Sequence, residues 1–316
     1  MKRFISVLLI AALIALPIAG CANRQGNKKI ANTGELADTY PYLIKTESAT
    51  WYLSKADIES LGEDAFYEGL YAVLDDAEAD MRDAREALKG YIPDEIPPVD
   101  IRTDFCCVAG TAESANAYYS GKGNFIKLFN GWKDARITLL HEYVHYLTMH
   151  CAQNPALFGF WSEGVAEYIA TLTCKNRLAR SENMGFDIAG YPPVLWDLSW
   201  DAEENCIDPR KLYFGLGAIA ANGGLIGVTY YAVMNETIVR TEEMQENLQP
   251  WELSLCEASG LIEYLVKTYG RDKVFSNWNV APNALDTVFG KPFSELYGEW
   301  AEWNAEQCVS MGIKLS

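Results

Sequence analysis

All three histidines of this 316-residue chain lie between positions 141 and 150. Two of them form a His-Glu-x-x-His sequence, in which Glu142 follows His141 and His145 closes the motif. On a helix, residues four apart lie on the same face, so both imidazoles can reach one metal ion. Glu142 can then reach a metal-bound water, as a general base does. The alternative is a pair of structural helix histidines beside a capping Glu, but the clustering of every histidine favours a metal site.

The third ligand of this site has two candidates. A catalytic zinc ion usually takes three protein ligands and keeps one position open. In metzincin-type proteases the third ligand is a His six residues beyond the second, after a Gly turn. Here those positions hold Cys151 and Thr148, and His150 is one residue out of register. We therefore expect His150 to have a structural role or to lie near the site, and Glu163 to be the third ligand.

The segment Trp161–Tyr168, with its sequence Trp-Ser-Glu-Gly-Val-Ala-Glu-Tyr, follows the motif at a spacing that resembles the gluzincins, in particular the peptidase MA-like superfamily. The resemblance implies a single Zn²⁺ held by His141, His145 and Glu163, with Glu142 as general base for peptide hydrolysis. It also implies that Glu167 accepts a hydrogen bond from the first His ligand and fixes its tautomer. The alternative for Glu167 is a solvated helix residue.

The resemblance covers about residues 45 to 305, but its specificity lies almost wholly in 141–168. One departure concerns the later helix, where many relatives carry a Tyr that stabilises the oxyanion. Leu255 stands at that position here. A substitute could come from Tyr213, Tyr230 or Tyr231, among which the sequence does not choose.

The N-terminus has the order of a bacterial secretory signal. Lys2 and Arg3 precede an apolar run, Phe4 to Ala19, which is shorter than the roughly 20 residues that span a bilayer. The following Ile-Ala-Gly-Cys resembles the lipobox of bacterial lipoproteins. That resemblance implies lipidation at Cys21 and a mature chain anchored on the extracytoplasmic face of the membrane.

Three segments follow from this assignment: a signal peptide at 1–20, the lipidated Cys and a flexible tether at 21–38, and one domain at 39–316. Without Lys2 and Arg3 the net charge is near −19, compared with −17 for the whole chain. So acidic a surface repels nucleic acid and anionic headgroups. We therefore expect no nucleic-acid partner, and attachment to the membrane through the lipid alone.

The periodicity of apolar residues predicts an α+β fold, and the gluzincin resemblance implies that this fold is zincin-like. A small N-terminal strand and helix subdomain, about 39–133, precedes a mostly helical one, about 134–316, with the motif helix at the junction. Gly62 and Gly69 could divide the first long helix. The predicted strands are 49–54, 98–105 and a hairpin within 117–129; the predicted helices are 55–89, 134–150, 162–177, 213–221, 229–239, 251–269 and 292–308, with an irregular insertion at 178–212.

These features predict a zinc-dependent peptidase that hydrolyses peptide bonds outside the cytoplasm. We expect the strand around Phe125 to Phe129, just before the motif helix, to pair with an extended substrate backbone. The alternative is a non-catalytic surface lipoprotein of the same fold that binds peptide or glycan. Cleavage of peptides by the zinc-loaded protein would distinguish the two.

Overall fold

The structure is a computed structural model. It describes residues 28–106, 117–129, 131–132, 135–150, 160–173, 200–201, 206–207, 250–277, 285–292 and 314–315, together with single residues between 295 and 306. Several of the predicted features lie outside these residues: the signal peptide, Cys21, the helices at 213–221 and 229–239, and Tyr213, Tyr230 and Tyr231. Within the described ranges, no helix combines the length and apolar character needed to cross a bilayer.

The described part is a mixed α/β structure built on a six-stranded sheet. The strands are β1 (Ile30–Ala31), β2 (Tyr42–Lys45), β3 (Ala49–Leu53), β4 (Val99–Thr103), β5 (Ala117–Ser120) and β6 (Phe125–Leu128). Their spatial order is β1-β2-β3-β4-β6-β5, with β3, β4 and β6 parallel and the other pairings antiparallel. The sheet begins earlier than predicted, because β1 lies within the range assigned to the tether.

The helices are α1 (Lys55–Leu61), α2 (Glu63–Ala87), α3 (Ala135–Met149), α4 (Phe160–Thr173), α5 (Pro250–Tyr269), α6 (Arg271–Phe275) and α7 (Leu285–Phe289). A second, small sheet contains β7 (Trp200–Asp201), β8 (Cys206–Ile207) and β9 (Lys314–Leu315). The predicted helices at 134–150 and 251–269 correspond to α3 and α5. The helix predicted at 162–177 corresponds to α4, which begins two residues earlier.

One apolar core joins the sheet to the helices. Alternate residues of the central strands are fully buried, for example Trp51 in β3, Ile101 in β4 and Ile126 in β6. They belong to one cluster with the buried side chains of α2, α3, α4 and α5. Helix α3 contacts α2, the strands β5 and β6, and α4. The helix that carries the histidines is therefore fixed on several sides by packing.

The hairpin predicted within 117–129 is present, but the expected role of its second strand is wrong. β6 has β4 on one side and β5 on the other, so its backbone groups are already paired. β5 is one of the two edge strands of the described sheet, and β1 is the other. The turn between β5 and β6 places Asn124 at φ 53°, a left-handed conformation that Asn tolerates better than most residues.

The predicted division of the first long helix occurs at Gly62 and not at Gly69. Gly62 has φ 82°, a conformation that favours glycine, and ends α1. Gly69 lies within α2 beside the indole of Trp132. A Cβ built on Gly69 would lie 2.3 Å from Cδ1 of Trp132. Gly69 therefore makes room for the indole, which also packs against Phe66 and Phe105.

Replacing Gly69 with Ala is expected to destabilise the protein, because the added methyl group would collide with the packed Trp132 ring. Overpacking of this kind costs about 1–3 kcal/mol, more than the helix gains from Ala. Urea denaturation of Gly69→Ala measures the loss in free energy of unfolding. Glu68→Ala, at the neighbouring exposed position, is the control and is expected to change it by less than about 0.5 kcal/mol. Equal stability of the two variants would contradict the packing.

Candidate metal centre

Helix α3 supplies two imidazoles to one point. Its apolar face, which includes Tyr143, Val144 and Leu147, is buried in the core. His141 and His145 lie one turn apart on another side of the helix. Their Nε2 atoms are 3.0 Å apart, and the two rings are nearly perpendicular at 80°. His141 is buried, with 7% of its surface exposed, and His145 is half-buried.

Helix α4 brings a carboxylate to the same point. Glu163 lies in the first turn of α4, which packs against α3. Its Oε2 is 3.2 Å from Nε2 of His141 and 3.4 Å from Nε2 of His145. His141, His145 and Glu163 are the described residues whose ligand atoms form a group capable of holding a metal ion.

The three separations of 3.0, 3.2 and 3.4 Å fit a small metal ion. Ligand atoms about 2.0–2.1 Å from a tetrahedral metal are about 3.3 Å from one another, which is close to the distances between these atoms. The separations are therefore compatible with a single metal ion held by two nitrogens and one oxygen.

The other nitrogen of each imidazole has its own partner. Nδ1 of His141 is 3.0 Å from Oε2 of Glu167, and Nδ1 of His145 is 3.1 Å from Oγ of Ser162. A carboxylate only accepts, so a neutral His141 donates through Nδ1 and presents a lone pair at Nε2. The predicted partnership of Glu167 with the first histidine is present in this geometry, and Glu167 is buried.

Ser162 was not predicted from the sequence. Its only signal is its position, directly before Glu163, on the helix that faces the histidines. Ser162 directly precedes Glu163 on α4. When Glu163 contacts His141, the Ser162 hydroxyl therefore lies beside His145. The two ligating histidines thus have different partners, a carboxylate for His141 and a hydroxyl for His145.

The charges of the site are strongly coupled. Burial would raise the pKa of Glu163, but His145 and His141 outweigh it and hold that pKa well below the usual range. Burial would lower the pKa of His141, yet its hydrogen bonds to Glu163 and Glu167 prevail and raise that pKa well above its ordinary value. Without a metal, the site therefore favours a protonated His141, which donates through Nδ1–H to Glu167 and through Nε2–H to Glu163.

Glu142 lies beside the ligand group and is not part of it. Burial raises the pKa of Glu142 and the nearby charge of Glu163 adds to this, while His141 and His145 oppose it. Its Oε2 accepts a hydrogen bond of 2.6 Å from the backbone N–H of Tyr119 in β5. A carboxyl group with a raised pKa next to a metal site can take up and release a proton.

His150 is not a member of the ligand group, in agreement with its prediction as a structural residue. Its Nδ1 is 2.8 Å from the backbone carbonyl of Tyr146, one turn earlier, and its ring packs against the Tyr146 ring. Nδ1 must donate in this bond, because a carbonyl oxygen only accepts. His150 therefore closes the C-terminal end of α3.

The position of the oxyanion donor is not assigned by the described residues. Leu255 lies in α5, which is the helix with the most extensive contact to α4. Later in α5, Ser259 and Glu263 are both buried.

Comparisons of the chain with protein-family models, with curated proteins and with solved structures find no match. The assignment of the site therefore depends on its own residues and geometry.

Metal binding is expected to weaken as the pH falls, starting above the range of an ordinary histidine. A ligand must be deprotonated, and the raised pKa of His141 lets protons compete with the metal above about pH 6.5. Chelator competition with Zn²⁺ as the probe, at pH 8, 7 and 6, measures this loss. In Glu167→Gln one carboxylate that raises this pKa is gone, so the loss should begin at a lower pH. An unchanged onset would contradict the coupling.

Ser162→Ala is expected to weaken metal binding about tenfold without unfolding the protein. The substitution removes the hydroxyl that orients His145, and loss of such a partner typically costs 10–100-fold in metal affinity. Ser162→Thr, which keeps a hydroxyl, is the matched control and should bind the metal nearly as tightly as the wild type. Equal affinities of the Ala and Thr variants would show that His145 needs no partner.

Proposed function

We propose that this chain is a zinc-dependent peptidase with a zincin-like fold, held by an N-terminal lipid on the extracytoplasmic face of a bacterial membrane. The observation that carries the proposal is the convergence of the two Nε2 atoms and Glu163 Oε2 within 3.4 Å, with Glu142 one residue from the first ligand. This His-Glu-x-x-His and Glu set is the one that the gluzincin resemblance implies.

Zinc is the metal that this donor set supports best. Catalytic zinc sites with two histidines and one glutamate leave one of four positions open. Two neutral imidazoles and one carboxylate leave a net charge of about +1 with Zn²⁺. A bound Zn²⁺ would supply Lewis-acid chemistry, acidifying a water molecule and polarising the scissile carbonyl.

Glu142 is the proposed general base. Its pKa is raised by burial, which brings the carboxyl group closer to the pH at which it can both accept and return a proton. It takes the proton of the attacking water and delivers it to the leaving amine. His141 and His145 hold the metal, while Glu167 and Ser162 keep their rings in the ligating orientation.

We propose that an extended peptide binds alongside the edge strand β5. A substrate can pair with an unpaired strand edge through backbone hydrogen bonds. β5 lies at the end of the six-stranded sheet, and Tyr119 in its centre contacts Glu142. Because the Tyr119 N–H is already bonded to Glu142, a peptide would pair with the other outward-facing backbone groups of β5, beside the general base and the ligand group.

Glu142→Gln is expected to abolish peptide cleavage and to leave metal binding intact. The amide cannot act as a base, and loss of general-base catalysis typically costs about 10²–10⁴ in rate. The full chain, purified in detergent without chelators, is analysed for zinc and incubated with a diverse peptide library.

His145→Ala is the matched control for that experiment and should lose both zinc and cleavage. Wild-type protein that binds no zinc would refute the proposed site. Wild-type protein that retains one zinc ion and cleaves no peptide would refute the peptidase and leave the non-catalytic surface lipoprotein.

A further inference from the structure

Tyr119 makes three contacts that join β5 to its surroundings. Its backbone N–H donates to Oε2 of Glu142, its ring packs edge-to-face on the ring of Tyr146 at 6.0 Å, and its hydroxyl is 3.2 Å from Oδ1 of Asn124 in the adjoining turn. Two of these contacts are to α3. One residue of the edge strand is therefore fixed on the helix that carries the metal ligands.

The register of the hairpin and the bond to Glu142 together give the direction of the Tyr119 N–H. Tyr119 lies opposite Ile126, and its neighbours Tyr118 and Ser120 lie opposite Lys127 and Phe125. Successive residues of an antiparallel strand point their backbone groups alternately toward and away from the partner. Because the Tyr119 N–H bonds to Glu142, it points away from β6, and the ladder with β6 does not need it.

The bond to Tyr119 also restricts Glu142. One carboxylate oxygen is held by a backbone donor of β5, an edge strand that pairs with β6 and packs against α3. A general base must stay within hydrogen-bond reach of the proton it abstracts. The backbone of β5 therefore supplies a rigid reference point for the carboxyl group of Glu142.

We propose that the backbone N–H of Tyr119 holds the carboxyl group of Glu142 where it can act as the general base, which makes Tyr119 a positioning residue. The edge strand β5 then positions both the bound peptide and Glu142. This inference rests on the proposed function for its catalytic consequence, and on the contact itself for its structural part. The proposed role belongs to the backbone N–H of Tyr119 and not to its side chain.

The first experiment measures amide hydrogen exchange in the zinc-loaded full chain and needs no substrate. If Glu142 accepts the Tyr119 N–H, Glu142→Ala should speed exchange at Tyr119 by about tenfold or more, while Glu142→Gln, which keeps an acceptor oxygen, should not. Exchange at Tyr118, whose N–H points toward β6, should be the same in all three proteins. Equal exchange at Tyr119 in the wild type and Glu142→Ala would overturn the inference.

The second experiment compares Tyr119→Pro with Tyr119→Ala. Both lose the ring and the hydroxyl, but only Pro loses the N–H, and an edge strand tolerates Pro where the N–H faces away from its partner. Relative to Tyr119→Ala, the Pro variant should show a kcat lowered about 10–100-fold, with KM changed much less and one zinc ion retained. Equal kcat values for the two variants would overturn the positioning role and leave the proposed peptidase intact.

The two experiments separate the possible failures. A wild-type chain that cleaves no peptide refutes the proposed function, and amide exchange then decides by itself whether Tyr119 holds Glu142. A Pro variant that fails to fold leaves the same decision to the exchange measurement, which uses substitutions of Glu142 only.

Discussion

Three carboxyl groups and two imidazoles lie close together, partly buried, where α3 meets α4 and β5. The surrounding packing has to stabilise this concentration of charged groups. Glu142, Glu163 and Glu167 all lie against His141 or its neighbours. Bringing like charges out of water is costly unless a cation is present. The apolar packing of α3 and α4 supplies the force that keeps them together. A divalent ion, or in its absence the positive charge of protonated His141, is the compensating charge.

The geometry of a single helix separates the two tasks of the site. Consecutive residues of an α-helix point about 100° apart, whereas residues four apart share a face. His141 and His145 consequently face Glu163 on α4, and Glu142 faces the edge strand β5. The candidate ligands and the proposed base are thus supported by different elements. Strand β5 positions Glu142, and helix α4 lies against the face of α3 that carries the two histidines.

The parts of the structure that depend on local pattern could be predicted from the sequence. The motif helix, the later helix with Glu163 and Glu167, and the strands β3 and β4 each follow from their own periodicity. What could not be predicted depends on distant pairing. No strand was predicted at β2, which is identified by its pairing with β3. Gly69 was expected as a possible helix break, but it lies within α2 and makes room for Trp132. The edge position of β5 also depends on strand order, which no single segment carries.

Glu167 was predicted and Ser162 was not. The role of Glu167 was implied by the gluzincin resemblance, because in such proteins an acid four residues after the third ligand accepts a hydrogen bond from the first histidine. A serine before a ligand is common and has many other uses, so only the measured contact of 3.1 Å with Nδ1 of His145 identifies it. The unequal partners have a physical consequence. A carboxylate makes its imidazole the more basic ligand, so His141 is expected to be the stronger donor to the metal and, without the metal, the preferred holder of the proton.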